Sequence, residues 1–339
     1  MRVLVVGGAG MIGSHVCEAL LEGGHEVWCL DSLVTGFRAN VAALTGHPRF
    51  TYLNGDVSQA LPAEVPAADW ILHLASPASP VDFLPLSLEI MAVNAHGTER
   101  LLALARQHGS RFLFASTSEV YGDPQEHPQH EAYWGHVNPI GLRSCYDESK
   151  RFGEALTMAY GRRYELDVRI VRIFNTYGPR TRHYDGRVVP SFVRGAVAGE
   201  PLVIIGSGDQ TRSFCYVTDL ATGILRVIAA PETAARGEVF NLGNPDEWTV
   251  RKFAELVVEI TGSQSRITQQ PAQETDPVRQ DDPGRRCPDI TKARTVLNWG
   301  PVVPLREGLA RTIAWFQETR ASEYARLPDG RDPGGGGST

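Results

Sequence analysis

The stretch RVLVVGGAGMIGSHVCEALLEGGHEVWCLD, residues 2–31, constrains the fold more than any other part of the chain. An apolar run at 2–6 leads straight into three glycines at GxxGxxG spacing, Gly7, Gly10 and Gly13. A helix-like segment (13–23) closes at Gly23 and Gly24, and a second apolar run (26–30) ends in Asp31. Strand, tight turn, helix and strand form a unit whose strands are covered on both faces only inside a larger parallel sheet.

The alternation continues. β-rich runs recur at 50–54, 69–74, 111–116 and 167–173, with helix-like segments near 87–107 and 144–162. Nearly continuous apolar strands separated by helices predict an α/β, Rossmann-type doubly wound parallel sheet. Beyond 175 the pattern loosens. Runs at 187–199, 202–206, 218–229 and 238–243, then amphipathic patterns at 249–262 and 305–320, predict mixed elements. The expected division is a nucleotide-binding domain over 1–175, with about 210–240 returning to it. A smaller, mainly C-terminal mixed α/β substrate domain covers 176–318. The final PDGRDPGGGGST cannot build a core, so 319–339 reads as a disordered tail.

A formal charge of −6 over 339 residues argues against a surface built for nucleic acid. No apolar run approaches the roughly 18–20 residues that span a bilayer, and no signal peptide is evident. Cys17, Cys29, Cys145, Cys215 and Cys287 are widely spaced and form no CxxC or His/Cys cluster. Reduced thiols, no metal site and a cytoplasmic protein are expected.

A glycine loop opening a helix brings backbone amides close to a pyrophosphate. Asp31, at the end of the second strand, can accept hydrogen bonds from the adenosine ribose hydroxyls, or act as a turn residue. Its charge would repel a 2′-phosphate, and Ser32 follows where an arginine could have compensated, so NAD is favoured over NADP. Asp56, in NGDV after the third strand, is an adenine-side contact or an ordinary turn acid.

STSEVYG (116–122) follows the strand at 111–115, beyond a carboxyl end of the sheet, where such folds place ligands. Thr117 lies there. Tyr146 and Lys150 follow at i,i+4 spacing, on one helical face. A tyrosine near pKa 10 is a poor base at neutral pH. Lys150 and a nicotinamide's positive charge are expected to favour the phenolate. Tyr146 can then take an alcohol proton as hydride passes to NAD, with the Thr117 hydroxyl on the same oxygen.

At these residues the chain resembles the extended short-chain dehydrogenase/reductase family, whose pattern is GGAGMIG, Asp31, STSEVYG and YDESK. More narrowly, it is similar to the family's UDP-glucuronate decarboxylase group in HLASPASP (73–80), STSEVYGDP (116–124), YWGHVNPIG (133–141), RIFNTYGPR (172–180), GSGDQTRSFCYVTDL (206–220) and RRCPDI (285–290). The likeness covers about residues 1–318, and DFLPLS (82–87) departs from it. It implies NAD contacts at Gly7, Gly10, Met11, Ile12, Gly13, Asp31, Asp56, Leu74, Tyr146 and Lys150. It implies UDP-glucuronate as substrate, converted to UDP-xylose by C4 oxidation, loss of the C6 carboxylate from a β-keto acid, and C4 reduction.

By the same likeness Glu119 sits beside the sugar in decarboxylation or reprotonation, or merely orients its loop. Arg286 engages the carboxylate or the enolate charge, or is a surface charge in a basic doublet. Ser118, Asn175, Arg187 and Arg212 are implied substrate ligands, with Arg212 on the diphosphate. Ser118 stands where nucleotide-sugar 4,6-dehydratases carry an aspartate, which weighs against dehydration. A 4-epimerase and a non-catalytic nucleotide-binding scaffold stay open as alternatives. The family's habit implies a homodimer through helices of the nucleotide domain, including the one bearing Tyr146 and Lys150.

Overall fold

The structure, a computed structural model, describes residues 1–271, 277–279, 282–320, 322 and 324. Its strands in chain order are β1 (Arg2–Val6), β2 (Glu26–Asp31), β3 (Phe50–Asn54), β4 (Trp70–His73), β5 (Arg111–Thr117), β6 (Val168–Ile173), β7 (Thr176–Tyr177), β8 (Leu202–Ile205), β9 (Thr211–Ser213), β10 (Cys215–Tyr216), β11 (Val239–Leu242), β12 (Glu247–Thr249), β13 (Ile267–Gln270) and β14 (Arg285–Arg286). The helices are α1 (Met11–Glu22), α2 (Ser87–Ala92), α3 (Thr98–His108), α4 (Ser144–Tyr164), α5 (Val188–Ala198), α6 (Val217–Ala229), α7 (Glu232–Ala235), α8 (Val250–Thr261), α9 (Thr291–Leu297) and α10 (Leu305–Glu318).

Seven strands form one parallel sheet in the order β11-β6-β5-β4-β1-β2-β3. The apolar continuity of β1 has a direct cause. Val3 and Val5 face a core shared with Val16 and Leu20 of α1 and Ile224 of α6, while Leu4 and Val6 face one containing Leu101 and Leu102 of α3. Neither face of the strand meets water, so no polar residue alternates. The chain runs outward from β1 through β2 to β3, then returns to place β4 on the other side of β1. That reversal is a topological switch point, and it opens a crevice at the carboxyl ends of the strands.

The C-terminal segments build a second core, in which Phe192 of α5, Phe253 of α8 and Leu309 and Phe316 of α10 pack together. Around it β8 pairs with β13, and β9 pairs with β12 and β14. β11 instead joins the large sheet beside β6, and α6 packs against α1.

Two expectations change in detail. The helix expected over 87–107 is interrupted: α2 and α3 are joined by a π-helical turn at Val93–Gly97. Asn94, in that turn, donates to Ser149 Oγ (3.0 Å) on α4 and to Ser76 Oγ (3.1 Å). Such turns re-aim a side chain within a helix. Tyr324, in the expected tail, is buried: its hydroxyl donates to Asn40 Oδ1 (2.7 Å) and its ring packs on Phe37 and Trp315. The tail residues after Tyr324 lie outside the described residues. Among the described residues no helix is long and apolar enough to cross a membrane.

Candidate active site

A cavity of about 810 Å³ lies between the carboxyl ends of the sheet and the C-terminal elements. Met11, Ile12 and Leu74 line it on the side of the glycine turn. At that turn Gly7 has a φ of +83°, and a Cβ there would stand 2.6 Å from the Ala75 backbone. A Cβ on Gly13 would stand 2.1 Å from the Gly7 carbonyl oxygen. Both positions therefore need glycine for close packing. Gly10 caps α1 in an extended conformation; no side chain caps the helix and no acid stands in its first turn. The first-turn amides are left to an anion from outside the chain.

Asp31 is buried behind this loop, with its carboxylate accepting from the amides of Ala9 (2.9 Å) and Leu33 (2.8 Å). Burial raises its pKa, and those two amides oppose the rise. Each oxygen keeps a lone pair for a further donor. Asp56 accepts both the amide and the hydroxyl of Ser58 at 2.8 Å, the behaviour of a turn acid. Gly7, Gly10, Gly13, Asp31 and Asp56 do not line the cavity itself.

On the far side, β5 delivers Thr117 and the following turn delivers Ser118 and Glu119, all three lining the cavity with Tyr146 and Lys150 of α4. Phe83 stacks on the Tyr146 ring, with centroids 5.2 Å apart and planes at 17°. Burial raises the Tyr146 pKa above its ordinary value; the Thr117 hydroxyl and the Arg187 charge pull it back only in part. The expected lowering by Lys150 is absent from this balance. The Lys150 ammonium instead donates to the Ala115 carbonyl (2.8 Å) and lies 5.8 Å from the Tyr146 ring centroid. Burial brings Lys150 down to about 7, opposed by Glu154.

Arg286 arrives from β14, far along the chain, and is buried, so it is no surface charge. It holds both oxygens of Glu119, Nη1 to Oε1 at 2.8 Å and Nη2 to Oε2 at 2.9 Å, and donates to Asn175 Oδ1 at 3.2 Å. Arg187 is paired with Asp185, and Arg212 with Asp282 Oδ2 at 2.8 Å; both arginines line the cavity. Thus the crevice collects catalytic and substrate candidates spread from residue 117 to residue 286.

Two further cavity residues escape a reading of the sequence. Arg143 Nη2 is 2.9 Å from Glu119 Oε2. Asp282 faces Arg212, Arg286 and Arg143, which hold its carboxyl down at about 2 against desolvation. Arg143 stands three residues before Tyr146, which offered a signal by helical spacing. Asp282 lies outside any helix or strand and offered none. Lys292, outside the cavity, donates to Glu238 (2.6 Å) and the Val239 carbonyl (2.7 Å).

Known proteins resemble this chain in sequence and fold. The family described as NAD dependent epimerase/dehydratase matches residues 3–243. UDP-glucuronic acid decarboxylase 1 of Danio rerio is 47% identical over 315 residues, spanning 93% of this chain and 72% of its own. A dTDP-glucose 4,6-dehydratase structure from Streptomyces venezuelae with NAD bound superposes with a TM-score of 0.84 at 32% identity, covering 94% of this chain and 98% of that one. A UDP-glucuronic acid 4-epimerase structure from Bacillus cereus, in complex with UDP-glucuronic acid and NAD, gives 0.81 at 26%, covering 94% and 99%. With its glycine turn beside the cavity that holds Thr117, Tyr146 and Lys150, the chain belongs to the NAD dependent epimerase/dehydratase family, within the extended short-chain dehydrogenases/reductases.

Proposed function

We propose that this protein is an NAD-dependent decarboxylase that converts UDP-glucuronate to UDP-xylose and carbon dioxide. The observation that carries the reading is the Arg286–Glu119 pair, with Arg286 buried, in the same cavity as Thr117, Tyr146 and Lys150. The identity to UDP-glucuronic acid decarboxylases supports it.

The open amides at the start of α1, the glycines that admit close approach and the residual acceptor capacity of Asp31 fit a dinucleotide of the NAD type. Gly7, Gly10, Met11, Ile12, Gly13, Asp31 and Leu74 would hold it; Asp56 is the weaker member, being engaged with Ser58. When bound, NAD supplies reversible oxidation at sugar C4, which turns the C6 carboxylate into a β-keto acid.

Tyr146 takes the proton of the C4 hydroxyl and later returns it, and the Thr117 hydroxyl bonds the same oxygen. The phenol starts above its ordinary pKa, so the positive charge gathered at the occupied site must favour its ionised form. Lys150 contributes there while its ammonium is charged. Arg286 presents a planar fork to the sugar carboxylate and stabilises the enolate charge left as carbon dioxide departs, and C5 then takes a proton from solvent before C4 is reduced. Ser118 offers a hydroxyl where expulsion of a C6 hydroxyl would need an acid. Arg212 and Arg187 supply positive charge for the diphosphate, with Asn175 beside them. In the same proposal the dinucleotide belongs to the large sheet and the UDP-sugar mainly to the C-terminal segments.

Incubation with UDP-glucuronate and NAD, followed by mass spectrometry, tests this. UDP-xylose without net NADH is expected. A UDP-keto-pentose with matching NADH would mean a cycle that stops midway. Retained mass with inversion at C4 would replace the reading with the 4-epimerase, and a folded, NAD-loaded protein with no turnover would favour a scaffold.

A further inference from the structure

One His/Glu/Cys group with metal-like spacing stands among the described residues, His127, Glu247 and Cys287, but the Arg285 guanidinium fills it, 2.7 Å from His127 Nε2 and 3.2 Å from Glu247 Oε2. The arginine missed by the sequence carries more.

Glu119 is a carboxylate with 13% of its side chain exposed, held by two guanidiniums that enter from different parts of the chain. Arg286 comes from β14 and Arg143 from the residue preceding α4. Their surroundings differ. Arg286 is shared among Glu119, Asn175 and, at 3.8 Å, Asp282. It is also the group that a substrate carboxylate would engage. Arg143 shares the Asp282 neighbour, 3.9 Å away, and is as buried as Arg286, but its guanidinium lies 5.4 Å from the centroid of Phe83, the ring that stacks on Tyr146. Its carbonyl accepts the amides of Tyr146 and Asp147, both at 3.0 Å.

We propose that Arg143 is a positioning residue: it fixes Glu119, as an anion, to the helix that carries Tyr146 while Arg286 is free to turn toward substrate. The place of Glu119 in the chemistry rests on the decarboxylase reading; the contact with Arg143 does not. A buried carboxylate that loses its counter-charge takes up a proton. With Arg286 drawn to a second carboxylate, Arg143 is the closest remaining cation. It prevents Glu119 from going neutral and swinging away.

The charged and titratable groups facing Glu119 are Arg143, Tyr146 and Asp147 at the start of α4, Asp282 and Arg286 at β14, and Arg212 of β9 through Asp282. Burial pushes the Glu119 pKa up, and Arg143 with Arg286 outweighs it, so the carboxyl sits below its ordinary value. Asp147 absorbs the opposite effect: burial and the charge on Glu119 raise it to about 8.

The test is a carboxyl-carbon NMR titration of the full chain with labelled glutamate, the Glu119 signal being assigned by its loss in Glu119→Gln. In the wild-type chain Glu119 titrates below the ordinary glutamate range. In Arg143→Gln it titrates at least about one unit higher. In Arg143→Lys, which keeps the charge but not the fork, it shifts less in the same direction. The acid limb of kcat for UDP-glucuronate moves up with it, and KM changes less than kcat. Should Arg143→Gln not fold, Arg143→Lys decides by the same shift. An unmoved Glu119 signal in the folded variants overturns the proposal. Failure of the wild-type chain to decarboxylate UDP-glucuronate would instead overturn the functional reading, and the titration would still decide the role of Arg143.

Discussion

Lys150 shows what a catalytic group costs the fold that holds it. Its side chain is buried, with the Ala115 carbonyl as hydrogen-bond acceptor and the Phe114 ring 5.0 Å away. A single carbonyl and a ring face replace little of an ammonium's hydration. Burial therefore lowers its pKa from 10.5 to about 7. Because the folded value is the lower one, the folded state binds fewer protons between the two. Lys150 costs nothing above 10.5, and its full penalty is reached as pH falls through 7. Lys150→Met should raise Tm below pH 7, by about 2–4 kcal/mol of stability, and leave it unchanged in strong alkali. The same variant should lose roughly 10²–10⁴ in kcat. Thermal melts across pH, beside turnover of UDP-glucuronate, check both; an equal Tm at all pH values would show that the ammonium is well solvated. Tyr146, Lys150 and Thr117 were legible in the sequence because helical spacing and a strand end place them by local rules. Arg143, three residues before Tyr146, shares that spacing but not the expectation of a role. An arginine just before a helix ordinarily faces water, and only the arrival of Glu119 from β5 makes it a partner.

At the scale of the element, α4 reaches the sheet because it is notched. Its inward face carries Tyr146, Lys150, Gly153 and Thr157, all buried. A Cβ on Gly153 would stand 2.3 Å from Cζ of Phe114, a ring with no exposure on β5. Helix propensity alone would favour alanine there by about 1 kcal/mol. Overpacking against a fixed ring costs about 1–3 kcal/mol, so the clash should win. Gly153→Ala is expected to destabilise the protein by about 1 kcal/mol. Lys150 is less than a turn away, so α4 should also move off β5 enough to lower kcat about tenfold. Chemical denaturation and turnover of one preparation measure both, and a stabilised, fully active variant would show that Phe114 can yield. The long strands were legible for the reason that makes this packing tight: both faces of each are covered. The π-helical turn was not, because it answers to contacts of Asn94 with Ser76 and Ser149. Nor could VFNL at 239–242 announce its place at the end of the large sheet, since a short apolar run does not name its neighbour.

Among the described residues, several large apolar side chains are exposed, and some of them stand on neighbouring helices. Leu84, Leu88 and Met91 are 53%, 75% and 46% exposed along the segment entering and forming α2, and Phe152 on α4 is 51% exposed. α2 packs directly against α4, so these side chains belong to neighbouring helices. Apolar surface gathered this way on a charged protein marks an interaction site more often than a chance exposure. The homodimer implied by the family resemblance would use this face, repeated on both chains about a two-fold axis. A stable interface of ordinary size buries about 800 Å² per partner, within reach of two helices. Such a dimer would brace α4 from outside, opposite the face that presents Tyr146 and Lys150. Light scattering should then give twice the 37.1 kDa of one chain. Leu88→Glu combined with Phe152→Glu should give a monomer that still folds, because both side chains already meet water within a single chain. Activity should fall further than stability in that monomer, since what it loses is the support of the catalytic helix. A wild-type chain that is monomeric at assay concentration would leave no such interface, and a double variant that stays dimeric would place the subunit contact elsewhere.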